Sequence, residues 1–76
     1  MTRELIEYVA RSLIDEPEAM TLTETEENGV RIYRLQVAPR DIGKVIGRRG
    51  RVARSIRTLL KVASIHNHTR CVLEIE

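Results

Sequence analysis

The sequence predicts an α+β domain whose elements follow in the order helix, strand, strand, helix, helix, strand. Apolar residues recur at helical spacing near the beginning of the chain and again after Gly50, as they do in amphipathic helices. The segments on either side of Asn28-Gly29, and the segment from Arg70 onward, alternate between apolar and polar residues as strands do. A hairpin followed by a right-handed two-helix crossover makes a three-stranded mixed sheet with the helices packed on one face.

Length and composition favour one small folded domain. The chain has 76 residues, of which 42% are hydrophobic and 32% are charged, so we expect a single domain over residues 1–76. A domain of this size buries only about 60% of its unfolded surface, and a roomy enzyme pocket is not expected. Two tyrosines are its only aromatic residues, which disfavours a sheet that reads bases by aromatic stacking.

The charge pattern and the cysteine content bear on location. No run of residues is apolar enough to span a membrane, and the charged beginning of the chain disfavours a secretory signal. The single cysteine, Cys71, cannot close an internal disulfide, which is typical of a reducing compartment. We therefore expect a cytoplasmic protein that does not enter a membrane.

The first helix has clear signals at both ends. Thr2 is suited to cap a helix that begins at about Arg3, and the position before Pro17 ends it because a residue before proline avoids the helical region. Its apolar face consists of two adjacent rows: Leu5, Val9 and Leu13 beside Ile6, Ala10 and Ile14.

A β-hairpin is predicted next. Met20 and Leu22 alternate with threonines in a short first strand. Asn28-Gly29 is a strong signal for a type I′ turn, since both central residues of that turn take positive φ. Residues 30–37 return as the second strand, and a shift in their alternation suggests a bulge near Ile32.

The second half of the chain predicts two helices and a strand. Pro39 stops the second strand, and Asp41 is suited to cap a short helix that runs through Ile46. A long helix follows over residues 51–65, then a loop over residues 66–68 and a strand over residues 70–76. The apolar stripe of the long helix contains Val52, Ile56, Leu59, Leu60 and Ala63.

Positive charge is concentrated in residues 40–61. This segment has eight basic residues and one acidic residue, a net charge of +7, whereas residues 1–39 have a net charge of −4. Patches of this kind attract polyanions such as nucleic acid. The alternative interpretation is a solvated helix face.

The most informative motif is Gly47-Arg48-Arg49-Gly50, which separates the short helix from the long one. Glycine lets a ligand approach the backbone closely and permits positive φ. The first N–H groups and the dipole of the following helix, together with two arginines, predict an anion cradle suited to a sugar-phosphate backbone. The spacing matches neither a P-loop nor a dinucleotide-binding fingerprint.

The hydrophobic pair Val45-Ile46, this Gly-x-x-Gly loop and the amphipathic helix after it resemble the KH domain, whose loop clamps about four nucleotides of single-stranded nucleic acid. A helix and a strand before the strand–helix–helix–strand unit make the order similar to the type II variant. Residues 37–60 in particular resemble the family of small bacterial KH-domain RNA-binding proteins of the KhpA type, and the resemblance covers nearly the whole chain.

This resemblance implies a cytoplasmic binder of single-stranded RNA, acting as a regulator or chaperone. It also implies a homodimer and pairing with a larger KH protein, KhpB of the Jag type, with links to cell division, elongation, cell shape and cell wall organization. The residues themselves leave RNA and single-stranded DNA as alternatives, because no residue is visibly dedicated to the 2′-hydroxyl.

Residue chemistry assigns roles within the motif. The glycines admit the backbone, the arginines meet phosphates, and the apolar residues before the loop line one wall of a narrow groove, with Val52 near its floor and the strand over residues 33–37 as the other wall. The predicted RNA-binding residues are Ile42, Gly43, Lys44, Val45, Ile46, Gly47, Arg48, Arg49, Gly50, Arg51 and Arg54.

A second surface is predicted on the long helix. Val62 and Ile65 lie off the apolar stripe, with Thr58 one turn earlier on the same side. They indicate either a homodimer seam or contact with the first helix or the chain end. The alternative function is accordingly a protein–protein dimerisation or scaffold module with incidental RNA affinity.

We predict no catalytic residues, no metal site and no cofactor. His66 and His68 have no acidic or cysteine partner at ligand spacing, and Cys71 lies on the apolar side of a strand, where a buried small hydrophobe is the ordinary role.

Overall fold

The structure, a computed structural model, describes residues 2–76 and has the predicted order of elements. Three helices and three strands make up the domain: α1 (Thr2–Leu13), β1 (Thr21–Glu27), β2 (Val30–Gln36), α2 (Ile42–Ile46), α3 (Arg51–Asn67) and β3 (Arg70–Ile75). Within residues 2–76, no helix has the length and apolar character needed to cross a membrane.

The sheet has the strand order β1-β2-β3 and is mixed, as predicted. β1 and β2 are antiparallel, and β2 and β3 are parallel in a register that runs from Val30↔Arg70 to Leu35↔Ile75. Asn28 (φ 53°) and Gly29 (φ 79°) form the hairpin turn with the positive φ angles that a type I′ turn requires. The predicted bulge near Ile32 is wrong, because the pairing of β1 with β2 continues there without an extra residue.

The core lies between one face of the sheet and the helices. Tyr33 and Leu35 of β2 are 1% and 0% exposed, and they pack with buried residues of all three strands, α1, α2 and α3. Successive side chains of a strand point to opposite faces, so this burial places the helices on one face of the sheet, as predicted.

The buried stripes of α1 and α3 are narrower than predicted. Ile6 and Ala10 face the core in α1, whereas Leu5 and Leu13 are exposed. In α3 the core receives Ile56 and Leu60, and Leu59 is exposed. The predicted stripes were too wide because only the side of each helix that packs against the sheet or the other helix is shielded from solvent.

Two helix ends differ from prediction. Thr2 is the first described residue and lies within α1, so it is part of the helix. α3 continues through Asn67 and ends where His68 takes a left-handed conformation (φ 55°), with the N–H of His68 donating to the carbonyl of Ser64. His66 and Asn67 therefore belong to α3 and not to a loop.

Asp41 does not cap α2 with its side chain. A 3₁₀ turn over Pro39–Asp41 precedes α2, and the carboxylate of Asp41 accepts hydrogen bonds from the N–H groups of Asp15 and Glu16, at 3.1 and 3.0 Å. The cap was mispredicted because the corner after α1, distant in sequence, supplies the donors.

Candidate nucleic-acid interface

The Gly47–Gly50 loop is a tight turn with positive φ at three positions: 81° at Gly47, 57° at Arg49 and 74° at Gly50. The N–H of Gly50 donates to the carbonyl of Gly47 at 3.0 Å, which closes the turn. Positive φ is uncommon for a residue with a side chain, so the strained Arg49 is presented by a loop whose two glycines adopt such angles readily.

Gly47 is also required for close packing. Its φ of 81° and ψ of 168° lie in a region that is essentially restricted to glycine. A Cβ at this position would lie 2.5 Å from Cγ2 and 2.8 Å from the backbone nitrogen of Val52, the second residue of α3. At Gly50 a Cβ would have no neighbour within 4 Å. The first glycine of the motif therefore brings the loop onto α3, and the second serves the turn alone.

Four exposed arginines surround this loop. Arg48 and Arg49 lie within it, and Arg51 and Arg54 lie on the first turns of α3. Among residues 2–76, no acidic side chain forms an ion pair with any of these four arginines. Nη2 of Arg54 lies 3.5 Å from the carbonyl oxygen of Arg49, so Arg54 reaches back toward the loop. These four guanidinium groups are open to an anion.

The backbone cradle is smaller than predicted. The N–H of Arg51, the first of α3, donates to the carbonyl of Arg48, and the N–H of Gly47 donates to the carbonyl of Gly43. The 3₁₀ turn therefore satisfies one donor, the N–H of Arg51, that the sequence suggested was free at the start of α3.

A groove leads from the loop along α3 and β3. Its first part has a volume of about 440 Å³ and is lined by Ile46, Gly50, Ala53, Arg54, Arg57 and Ile75. Its second part has a volume of about 470 Å³ and runs between the later turns of α3 and the free edge of β3. Arg57 lines both parts, so the two cavities adjoin at this side chain.

Two side chains of α3 bridge to the edge of β3. Nη2 of Arg57 lies 3.5 Å from the carbonyl oxygen of Leu73, and the hydroxyl of Ser64 accepts a hydrogen bond of 2.8 Å from the N–H of Cys71. At these two positions the backbone polar groups of the β3 edge already have partners on α3, so a ligand would have to displace Arg57 or Ser64 to bond with them.

The predicted second wall of the groove is wrong. The strand over residues 33–37 has Tyr33, Leu35 and Val37 buried beneath the helices, and β3 forms the wall instead, with Ile75 at its end. The error arose because β2 lies in the middle of the sheet and β3 lies at its edge, which apolar alternation alone does not distinguish.

The predicted apolar contacts divide between core and surface. Val45 is 0% exposed and belongs to the core, so its assignment as an RNA contact is wrong. Ile42 is half-buried against the core, and Val52 is half-buried beside Gly47. Ile46, 37% exposed, is the apolar residue of α2 that the groove receives.

Lys44 is engaged by acidic side chains. Its ammonium contacts the carboxylate of Asp15 and lies 3.6 Å from Oδ1 of Asp41. The hydrogen bond that Lys44 donates to Asp15 and the nearby charge of Asp41 raise the pKa of Lys44. Unlike the four arginines, this cation already has partners. Gly43, the neighbouring residue that was predicted with it, is exposed.

Sequence reasoning missed Arg57 and Ile75 as groove residues. Arg57 follows Arg54 at helical spacing of three, which would have placed the two on one side of α3. No sequence signal could have identified Ile75, because its position depends on the parallel pairing of β3 with β2.

The predicted seam residues lie on the exposed side of α3, with Val62 toward α1 and Ile65 toward the edge of β3. Thr58 is exposed, Val62 is 61% exposed and Ile65 is 77% exposed. Packing against the first helix or the chain end, the alternative for Val62 and Ile65, leaves both side chains largely exposed. Leu5, Tyr8 and Leu13 on α1 and Leu59 on α3 are also exposed.

The residues considered for other chemistry have ordinary surroundings. Cys71 is buried, as predicted, and its thiol lies 3.5 Å from the carbonyl oxygen of Thr69. His66 and His68 are exposed. Within the described part of the chain, no group of three or more His, Cys, Asp or Glu side chains is arranged to hold a metal ion.

Comparison with known proteins gives one consistent match. Residues 3–75 match the family model described as KhpA/KhpB, KH domain. The RNA-binding protein KhpA of Treponema pallidum is 48% identical over 75 residues, which cover 99% of this chain and 94% of the relative. The proteins of the same name from Clostridium perfringens and Borreliella burgdorferi are each 44% identical, covering 96% and 95% of this chain and 97% and 88% of the relatives.

Proposed function

Because this chain belongs to the KhpA/KhpB KH-domain family, we propose that it binds single-stranded RNA in the groove between α3 and β3. The observation that carries the proposal is the set of four exposed arginines without acidic partners beside the Gly47–Gly50 loop. Loops of this type in KH domains clamp the backbone of about four nucleotides. The name that the curated relatives share supports RNA as the ligand.

The geometry divides the work between phosphates and bases. Arg48, Arg49, Arg51 and Arg54 form a basic track that receives the backbone, since guanidinium groups pair with phosphate through two parallel hydrogen bonds. Bases enter the groove against Ile46 and Ile75 and meet the edge of β3. Few directional groups line the groove, so we expect a loose base preference.

The loop is tested by reversing its charge. Arg48→Asp with Arg49→Asp should abolish RNA binding and preserve the fold, because both side chains are exposed. Arg11→Asp is the matched control for either single reversal, Arg48→Asp or Arg49→Asp: it changes net charge equally, and Arg11 is exposed outside the groove. Circular dichroism and RNA affinity are measured on the same samples. Equal loss of affinity in both folded proteins would show that only net charge matters and that the loop is not the site.

The salt dependence of affinity tests the electrostatic part. If about three to five phosphates are neutralised, log K should fall with log salt at a slope of about −2 to −3.5, since each phosphate of a single strand contributes roughly −0.7. A flat response would contradict binding through the basic track. Competition between RNA and DNA of the same base sequence then tests the choice of RNA.

The exposed apolar side chains on α1 and α3 favour a second candidate function, self-association. A symmetric dimer would bring two copies of Thr58, Val62 and Ile65 together, and burial of a further apolar patch would stabilise a small domain. Arg54 and Lys61 flank this seam and repel their counterparts, so we expect a modest, concentration-dependent homodimer that bound RNA stabilises.

Analytical ultracentrifugation of Ile65→Glu tests the seam. The substitution should give a monomer, whereas Tyr8→Glu should leave the dimer intact, because Tyr8 is similarly exposed, at 73%, but lies on α1. A wild-type monomer at high micromolar concentration, or a dimer unchanged by Ile65→Glu, would contradict the seam. Ile65 also lines the second part of the groove, so RNA affinity is measured on Val62→Glu, whose side chain lines neither part. Retained RNA binding by a Val62→Glu monomer would separate this candidate from the first.

Family resemblance supports the cellular part of the proposal. The family model joins KhpA with KhpB in its name, and this supports a larger KhpB-type KH protein as a partner that uses the same seam. We place the protein among cytoplasmic RNA regulators or chaperones that act with such a partner in cell division or elongation. Isolation of the tagged protein from cells, with sequencing of the RNA crosslinked to it, tests this role.

A further inference from the structure

A cluster of charged side chains joins α2 to the corner that follows α1. Asp41 is 0% exposed, and its two carboxylate oxygens accept hydrogen bonds from the N–H groups of Asp15 and Glu16 at 3.1 and 3.0 Å. Lys44 contacts the carboxylate of Asp15 and lies 3.6 Å from Oδ1 of Asp41. We refer to Asp15, Asp41 and Lys44 as the anchor cluster.

Both charges at the centre of the anchor cluster are held in their ionised forms. Burial raises the pKa of Asp41, but the hydrogen bonds from the two backbone N–H groups and the charge of Lys44 together lower it by more. The pKa of Asp41 therefore lies below its usual value. A buried carboxylate of this kind is costly without its partners. A phosphate that took the ammonium of Lys44 would leave Asp41 without its counter-ion.

The anchor cluster joins two parts of the chain that are distant in sequence. Asp15 lies two residues after the end of α1, whereas Asp41 immediately precedes α2 and Lys44 lies within it. α2 has only five residues, and a helix of that length depends on tertiary contacts for its stability. Its last residue, Ile46, is followed directly by Gly47, so the placement of α2 determines where the loop begins.

We infer that Lys44 is a positioning residue and not an RNA contact: with Asp15 and Asp41 it holds α2, and through α2 the Gly47–Gly50 loop, in the orientation that receives the RNA backbone. The inference rests on the proposed RNA binding. It removes Lys44 from the predicted RNA contacts and gives Asp15, an acidic residue, a favourable part in binding a polyanion.

The number of phosphate contacts distinguishes the two roles of Lys44. Lys44→Met retains the aliphatic length of the side chain and removes its charge. If Lys44 contacts phosphate, the slope of log K against log salt should become shallower by about 0.7, as expected for Arg49→Met. If Lys44 positions the loop, the slope stays at its wild-type value while affinity falls, and Lys44→Arg restores the affinity because it restores the cation.

The sign of the effect at Asp15 gives an independent test. Removal of an acidic charge near a basic track should raise RNA affinity if only long-range electrostatics matter. We expect Asp15→Asn to lower it instead, by about threefold to tenfold, a change in the range of coupling between residues in contact. Glu18→Gln is the matched control, since Glu18 is exposed and lies outside the anchor cluster, and it should leave affinity unchanged or raise it slightly.

The two levels of the proposal fail in different ways. Absence of RNA binding by the wild type would overturn the proposed function. Normal wild-type binding with a shallower slope for Lys44→Met, or with higher affinity for Asp15→Asn, would overturn only the positioning role. Asp15 is largely exposed, with 57% of its side chain accessible, so Asp15→Asn should remain folded. Circular dichroism of the variant tests whether it does.

Discussion

The two glycines of the loop should differ sharply in their tolerance of alanine. At Gly47 an alanine would have to adopt φ 81° and ψ 168°, at a cost of about 1–3 kcal/mol. Its Cβ would also press against Val52 at 2.5 Å, and overpacking of this kind costs about 1–3 kcal/mol. We therefore expect Gly47→Ala to destabilise the domain by about 2–6 kcal/mol.

Gly50→Ala is the internal control. Its φ of 74° and ψ of 17° lie in the left-handed helical region, which costs alanine roughly 1–2 kcal/mol, and the added Cβ meets no neighbour within 4 Å. Alanine also reduces the entropy of the unfolded chain, which offsets about 0.4–1 kcal/mol. The net destabilisation should be at most about 1.5 kcal/mol.

Urea unfolding followed by circular dichroism measures this difference. A domain of this size has a total stability of about 4–11 kcal/mol, so Gly47→Ala approaches the limit of folding, whereas Gly50→Ala remains well folded. Val52→Ala in the Gly47→Ala background removes Cγ2, the nearest contact atom, and should recover part of the loss. Equal urea midpoints for Gly47→Ala and Gly50→Ala would refute the close approach of the loop to α3.

Three further predictions concern stability. The pKa of Asp41 is lowered in the folded state, so the ionised carboxylate stabilises the fold fully at pH values well above the unfolded pKa of about 3.9. This stabilisation is lost as pH falls through the lower folded pKa. The difference in urea midpoint between wild type and Asp41→Asn should therefore narrow in acid, and a constant difference would contradict this. Gly29→Ala, at φ 79° with no steric neighbour among the described residues, should lower stability by at most about 1.5 kcal/mol, as at Gly50, and a larger loss would argue against an open turn. Leu35→Ala at a fully buried position should lower stability by about 2–5 kcal/mol, and Leu5→Ala at a 44% exposed position by clearly less; the reverse order would contradict the assignment of the core.

Most of the fold was accessible to sequence reasoning because its signals are local. The Asn28-Gly29 turn, Pro39 and the Gly47–Gly50 loop each depend on the conformational limits of the residues themselves, and all three lie where they were predicted. The helix end was misjudged at His66 and Asn67, where the chain continues for one more half-turn before His68 leaves the helical region.

The candidate site was less accessible because it depends on packing. The sequence identified the arginines, but it could not separate Val45, which packs entirely into the core, from Ile46, which faces the groove, since the two are adjacent apolar residues. Nor could it identify Asp15 as the partner of Lys44. That contact joins residues 29 positions apart and exists only after the corner following α1 has folded against α2.

The parallel pairing of β2 with β3 has a consequence for how the domain folds. β1 and β2 are joined by a two-residue turn, so their paired residues are close in sequence. Val30 of β2 and its partner Arg70 of β3 are 40 positions apart. Closing so long a loop costs more chain entropy than closing a hairpin, and distant contacts form more slowly. We therefore expect the hairpin to form early and β3 to pair with β2 late. The Gly47–Gly50 loop belongs to the segment between β2 and β3, which is ordered only when that pairing forms. The groove between α3 and β3 would then form in the last step of folding, so the proposed RNA-binding surface would exist only in fully folded molecules.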